Sequence, residues 1–172
     1  MIIYFIIILA IISRFIPHVP NFAPITAIAI FAGAHLPWKK AFGMTLAARL
    51  VSDIFLGLFS WPLMIAVYSS HLAGIILGLW IKRSQNHRWM KIAGSSLIAS
   101  AIFFLITNLA FLYTNYPHNL SGIIQAYING LPFLRGTLMG DIVYTSALFG
   151  GYEIVKVWMR RQHSSQSLKP NC

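Results

Sequence analysis

The chain has 172 residues, of which 58% are hydrophobic and 9% charged, and its 13 Lys and Arg against 3 Asp and Glu give a formal net charge of +10. Because a soluble domain has about 25% charged residues, this composition excludes a soluble globular enzyme, a disordered chain and a nucleic-acid-binding domain. It predicts one all-α membrane domain over residues 1–160 and a disordered cytoplasmic tail over residues 161–172.

Six apolar stretches follow one another along the chain, at roughly residues 2–16, 22–36, 41–60, 62–81, 92–113 and 137–159. At 1.5 Å per residue the last four are long enough to cross a bilayer, whereas the first two are short and could be tilted or partly re-entrant. The segment 114–136 is too polar to span. Its apolar middle, residues 123–134, predicts a short interfacial helix or a lid over a cavity.

Basic residues collect after the second, fourth and sixth stretches, at Lys39, Lys40, Lys82, Arg83, Arg88, Lys91, Lys156, Arg160, Arg161 and Lys169. If all six stretches cross, these residues share one side, and the positive-inside rule makes that side cytoplasmic. The tryptophans lie near predicted span ends, where indole rings favour the interface. The sequence therefore predicts a multi-pass bundle of six transmembrane helices in the bacterial inner membrane, with both termini cytoplasmic.

Polar groups within the spans are candidates for function, because each is costly in a bilayer unless it is paired or hydrated. Asp53 lies one turn beyond Arg49 on one helix face, and a structural ion pair between them is as good an interpretation as a ligand site. Several helices carry polar groups at a similar outer depth, which favours a polar cavity that opens outward. The candidate ligand-binding residues are Asp53, Asn108, Asp141, Arg135, His18, Asn21, Tyr144 and His71.

The turn over residues 14–24 contains three prolines, which exclude a continuous helix there and favour an extended connection. Asn21 could cap the following helix, whose outward N-terminus would suit an anionic or carbonyl-bearing ligand. A rigid connector is an equally good interpretation. Gly74 and Gly78 have the spacing of a close helix contact, which we expect to form within the chain.

Motifs for catalysis, metals or cofactors are not found in the sequence. It has no G-x-S-x-G, H-E-x-x-H or phosphate-loop motif, and its one cysteine, Cys172, cannot form an intrachain disulfide. Its six histidines have no local metal-ligand spacing. We therefore expect no enzyme activity, no cofactor and no metal site, and any active transport would need a separate energy source.

Four stretches of the chain are distinctive: RFIPHVPNFAPITAIAIFAGA (14–34), SDIFLG (52–57), FFLITNLAF (103–111) and PFLRGTLMGDIVYTSALFG (132–150). Through them, and Tyr116–Pro117, the sequence resembles a bacterial family of uncharacterised integral membrane proteins, a domain of unknown function usually labelled as transport protein. It departs from that family at Gln125–Ala126–Tyr127, where a Cys tends to precede the Tyr. More distantly, the plan resembles the S-components of energy-coupling-factor vitamin transporters, six-helix proteins that bind a vitamin or metal ion near the outer surface.

These observations together predict a transport protein that binds a small solute, vitamin-like or metal-ion-like, in an outward-facing polar pocket. The expected partners are the lipid bilayer, the solute and an energising transporter module or other membrane protein, but no nucleic acid. The main alternative is a membrane scaffold or assembly factor that docks a partner protein. A third alternative is an intramembrane enzyme that uses Asp53 and His71 as acid–base residues.

Overall fold

The computed structural model describes residues 2–15, 21–83 and 86–167. These residues form six helices and no strand, which confirms the all-α prediction and the number of helices. The helices are α1 (Ile2–Ser13), α2 (Ile25–His35), α3 (Trp38–Leu56), α4 (Trp61–Arg83), α5 (Arg88–Asn115) and α6 (Leu120–Ser167).

Helix α2 lies at the centre of the bundle and packs against each of the other five helices. Its residues Ile25 to Ala34 are all buried. The sequence ITAIAIFAGAH explains this position, because a helix that is apolar on every side has no face to turn to water. Its alanines and its glycine also let neighbouring helices approach closely.

Three glycines bring α2 and α4 into close contact. A Cβ atom on Gly78 would overlap the carbonyl of Ile30, and one on Gly33 would overlap the carbonyl of Ile75. A Cβ on Gly74 would lie 3.0 Å from the Cβ of Ala29. The Gly74 and Gly78 spacing therefore serves packing within the chain, as the sequence predicted.

The segment 114–136 was expected as a connection with a short interfacial helix or a lid in its middle, but most of it forms the first turns of the long helix α6. It begins at Leu120, contains Pro132 and runs without interruption to Ser167. Asn119 caps its first turn, since its Oδ1 accepts a hydrogen bond of 2.9 Å from the backbone N–H of Gly122. The helix persists through the proline because its early turns pack on α5, where the Tyr127 hydroxyl donates to the Leu105 carbonyl at 2.9 Å.

The C-terminal part of α6 also extends beyond the predicted domain boundary at residue 160. Residues 161–167, expected as the start of a disordered tail, continue the helix. Residues 168–172 lie outside the described residues. The disordered tail stays a prediction for those residues.

Basic side chains gather at one end of the bundle, which we call the basic end (the C-termini of α2 and α4, the N-terminus of α5 and the neighbouring part of α6). There Lys82 Nζ donates to the Leu36 carbonyl at 3.0 Å. Arg88 bonds Glu153 Oε1 at 3.1 Å and lies 3.1 Å from His35 Nε2. These contacts place basic residues from distant parts of the sequence side by side.

Many large apolar side chains lie on the surface of the bundle, while several charged side chains lie inside it. Trp61 is 76% exposed and Phe55 74% exposed, whereas Arg49, Asp53 and Asp141 are buried. Two of the described helices are long and apolar enough to cross a membrane, Trp61–Arg83 and the Arg88–Tyr113 part of α5. Helices α1 and α2 are apolar but shorter.

Candidate functional site

A cavity of about 570 Å³ lies between the helices, where α3 and α5 end and α2, α4 and α6 begin. This end is opposite the basic end. The phenylalanine residues of the wall are Phe59, Phe103, Phe104, Phe111 and Phe133, and aliphatic residues such as Ile25, Leu63 and Val67 also line it. The polar residues of the wall are Arg14, Asn21, Thr26, Arg49, His71, Thr107, Asn108, Asn115, Tyr116, Asn129, Thr137 and Asp141.

Two arginines of the wall share one carboxylate behind it, and we call Arg14, Asp53 and Arg49 the Arg–Asp–Arg cluster. Arg14 Nη2 donates to Asp53 Oδ1 at 3.0 Å, and Arg49 Nε donates to Oδ2 at 2.8 Å. The Tyr68 hydroxyl also donates to Oδ2, at 3.2 Å. Asp53 is completely buried and is not among the residues that line the cavity. Its carboxylate therefore holds the two guanidinium groups in position.

The Arg–Asp–Arg cluster carries two positive charges and one negative charge. Arg14 is only 7% exposed, and its Nε and Nη1 have no hydrogen-bond partner among the described residues. The guanidinium carbon of Arg49 lies 5.3 Å from the centre of the Phe59 ring, a cation–π contact at the cavity wall. This part of the wall thus has an excess positive charge, and two N–H donors of Arg14 lack a partner within the described part of the chain.

Asp141 occupies a different part of the wall, on α6. The Ser100 hydroxyl donates to its Oδ2 at 2.6 Å, and the Thr26 hydroxyl forms a second hydrogen bond with the carboxyl group. Asp141 is 2% exposed, and no ion pair to it is found in residues 2–15, 21–83 and 86–167. Its partners from α2 and α5 are therefore neutral hydroxyl groups.

His71 and Asn108 complete the polar part of the wall. The His71 ring stacks on Phe103 with 5.7 Å between ring centres, and neither ring nitrogen has a hydrogen-bond partner in the described part of the chain. Asn108 Nδ2 donates to the Phe104 carbonyl at 2.8 Å. Its amide packs so closely on Gly130 of α6 that a Cβ there would overlap it. Both residues can offer a hydrogen bond to a molecule in the cavity.

Metal-ligating side chains do not cluster at this site. Among the residues that the structure describes, no group of three His, Cys, Asp or Glu side chains could hold a metal ion. The chemistry that the wall offers is instead hydrogen bonding, positive charge and aromatic contact.

The model of a family described as "Family of unknown function (DUF6580)" matches residues 1–165. The chain belongs to this family. No curated protein and no solved structure matches the chain. The matched region contains every residue of the cavity wall, so the cavity lies within the DUF6580 domain.

The structure brings some of the predicted ligand-binding residues together. Asn21, His71, Asn108 and Asp141 line the cavity, and Asp53 lies behind the wall. His18 lies outside the described residues.

Two candidates and one expected cap differ from the prediction. Arg135 is exposed on α6, and Tyr144 packs on Phe22 with 5.4 Å between ring centres, so neither belongs to the cavity wall. Asn21 does not cap α2, because the residue at the cap position is Pro24 and no side chain bonds there. Asn21 instead has a left-handed backbone, with φ of 61°, which turns the chain before the helix.

Arg14 is the functional candidate that sequence reasoning missed. It follows α1 and meets Asp53, which is 39 residues away in the sequence. A signal was present, since the outer ends of the predicted spans contain one acidic and two basic residues in Arg14, Arg49 and Asp53. The sequence paired Asp53 with Arg49 alone because the i,i+4 spacing is local and visible.

Proposed function

We propose that this chain is a transport protein of the bacterial inner membrane and binds a small solute in the cavity. In this proposal all six helices cross the bilayer, both termini are cytoplasmic, and the cavity opens to the outer side. The observation that carries the proposal is a cavity wall with buried hydrogen-bonding groups on Arg14 and His71 that have no partner among the described residues.

The membrane assignment is supported by the exposure of large apolar side chains and the burial of charged ones. A soluble monomer rarely exposes large contiguous apolar surface, whereas this bundle exposes large apolar side chains on every helix except the central α2 and buries Arg14, Arg49, Asp53 and Asp141. In lipid the same arrangement is favourable, because polar groups turn inward and apolar groups contact acyl chains. The two helices long enough to span are consistent with this assignment.

The orientation is supported by the positions of the basic end and the cavity at opposite ends of the bundle. Cytoplasmic loops carry an excess of Lys and Arg, so the basic end would be cytoplasmic and the cavity would face outward. Cysteine labelling tests this, with Asn86→Cys near the basic end and Asn119→Cys near the cavity, each combined with Cys172→Ser. A membrane-impermeant maleimide added to spheroplasts should label only Asn119→Cys. Labelling of Asn86→Cys from outside would contradict the orientation.

Solute binding is supported by the size and chemistry of the cavity. Its volume of about 570 Å³ is in the range of small-molecule sites, roughly 300–1,000 Å³, which combine apolar walls with a few placed polar groups. A buried polar group without a partner costs about 1–3 kcal/mol, and a bound solute would remove that cost at Arg14 and His71.

Native mass spectrometry of the detergent-purified protein tests the proposal. Asn129 lies on the cavity wall, and Asn129→Trp would fill part of the cavity, whereas Gln125→Trp is a matched control one turn earlier on α6 and off the wall. We expect the wild type and Gln125→Trp to retain a small molecule that Asn129→Trp loses. Retention by all three proteins, or by none, contradicts the proposal.

Other outcomes would favour the alternatives. A protein that copurifies in place of a solute would favour the scaffold, and a covalently altered substrate would favour an enzyme. If solute retention is unchanged in both Asp141→Asn and Asp53→Asn, the assignment of the site to this cavity is wrong.

The energy source for transport would lie outside this chain, because its sequence has no nucleotide-binding motif. Passive transport would need no such source, whereas coupling to an ion or an energising module like that of the energy-coupling-factor transporters would supply it. The resemblance to the S-components of those transporters supports the last of these by analogy of architecture.

A further inference from the structure

The excess charge of the Arg–Asp–Arg cluster points to the kind of solute that the cavity takes. We infer that the solute is an organic monocarboxylate with an apolar body, and that its carboxylate binds the guanidinium groups of Arg14 and Arg49. This inference rests on the proposed function and names the substrate class of the same site.

The charge balance is the first support. Two buried guanidinium groups share the single carboxylate of Asp53, which leaves one positive charge without a counter-ion in the cluster. Asp141 does not supply one, since its partners are the hydroxyl groups of Ser100 and Thr26. A buried charge is costly unless it is paired, so an anion that enters the cavity is stabilised. One negative charge balances the cluster, whereas a dianion, such as the doubly charged form of phosphate, would leave an excess negative charge.

Unused hydrogen-bond donors are the second, independent support. Nε and Nη1 of Arg14 are buried, have no partner among the described residues, and belong to a residue of the cavity wall. The planar guanidinium group matches a carboxylate, which accepts two parallel N–H bonds from it. The unpaired ring of His71, 3% exposed on the same wall, can supply a further hydrogen bond.

The rest of the wall indicates the body of the solute. Phe59, Phe103, Phe104 and Phe133 line the cavity, and such rings pack against apolar or aromatic groups rather than against a small inorganic anion. Asp53 is then a positioning residue: its two oxygens hold one guanidinium group each, so the donors are in place before the solute binds.

Isothermal titration of the detergent-purified full chain tests the inference with defined probes. The probes are sodium salts of a series from acetate to 4-phenylbutyrate, with 3-phenylpropionamide as the neutral match of 3-phenylpropionate, and inorganic phosphate. We expect at least one arylalkyl carboxylate to bind. Its amide should bind at least about 10-fold more weakly because it carries no charge for the guanidinium groups, and phosphate should bind as weakly because it has no apolar body for the aromatic side chains.

Arg14→Gln is the decisive variant, because it removes the excess charge and leaves Asp53 paired with Arg49. We expect it to weaken binding of the carboxylate by about 10- to 100-fold. Arg88→Gln is the matched control, since it makes the same charge change at the basic end and should leave binding unchanged. If Arg14→Gln does not fold, Arg14→Lys keeps the charge but loses the planar fork, and it should weaken binding more than Arg88→Lys does.

Each remaining outcome overturns the inference. No binding of any carboxylate by the wild type, equal binding of the amide, or equal loss in Arg14→Gln and Arg88→Gln would each do so. Amide binding that disappears in Asn129→Trp would refute the carboxylate class while it supports the proposed cavity. The inference can therefore fail without failure of the proposed function.

Discussion

Replacement of Asp53 by Asn removes the one negative charge of the Arg–Asp–Arg cluster and keeps the shape of the side chain. Asp53 Oδ1 and Oδ2 lie 3.0 Å from Arg14 Nη2 and 2.8 Å from Arg49 Nε. In Asp53→Asn both attractions are lost, and the two buried guanidinium groups still repel each other. In Arg14→Gln, by contrast, one attraction is lost together with that repulsion, and a neutral pair remains.

The loss of unfolding free energy should therefore be larger in Asp53→Asn than in Arg14→Gln. At an effective dielectric constant of about 20, two unit charges about 4 Å apart interact by roughly 4 kcal/mol. Breaking a buried ion pair by removal of one partner costs about 3–5 kcal/mol, and we expect this loss of unfolding free energy for Asp53→Asn. For Arg14→Gln the Coulomb changes nearly cancel, and the lost hydrogen bond to a charged group leaves a cost of about 1.5–3 kcal/mol.

Chemical denaturation of the purified protein in detergent micelles, followed by circular dichroism, measures both changes. Tyr68→Phe is a further control, because it removes only the hydroxyl that donates to Asp53 Oδ2 and should cost about 1 kcal/mol. A loss in Asp53→Asn no larger than that in Arg14→Gln would refute the reasoning, since the carboxylate charge would then not hold the guanidinium groups together.

Three further predictions concern other parts of the bundle. Gly78→Ala should lower the unfolding free energy by at least about 1–3 kcal/mol, because the added Cβ overlaps the α2 backbone. Gly94→Ala should raise it by about 0.5–1 kcal/mol, because a Cβ there meets nothing within 4 Å and alanine favours a helix over glycine. The same denaturation assay compares the two variants. Asp141→Asn should keep the unfolding free energy within about 1 kcal/mol of the wild type, because the amide oxygen can still accept the hydrogen bond from Ser100. Asp141→Leu should lower it by about 1–3 kcal/mol, because the buried hydroxyl group of Ser100 loses its acceptor. Equal losses of the two variants in thermal unfolding would contradict this explanation. Arg88→Gln should cost less than about 1 kcal/mol, because its pair with Glu153 is about 30% exposed and screened, and a larger loss at high salt would contradict this explanation.

Much of the fold was predictable from local properties of the sequence. The apolar stretches predicted six helices because each is a continuous low-charge run, and five of the six helices lie close to the predicted positions. Helix α6 differs at both ends. Its early turns contain Gly130, Gly136 and Pro132, which locally weaken a helix, and only packing on α5 maintains it there.

Part of the site was also predictable from local properties of the sequence. Asn108, Asp141 and His71 were identifiable because polar groups in an apolar span are costly wherever they lie, and all three line the cavity. The distinction between a residue that lines the wall and one that supports it required the packed helices. Asp53 belongs behind the wall because two guanidinium groups cover its oxygens.

By itself the sequence therefore determined the helical class, the number of helices and a set of polar residues, since composition and apolar run length act locally along the chain. Only the tertiary structure decided that Arg14 joins Arg49 on one carboxylate, because Arg14 and Asp53 are 39 positions apart in the sequence. It also decided that Arg135 and Tyr144 stay off the cavity wall, because the direction of a side chain around a helix matters only once the neighbouring helices are in place.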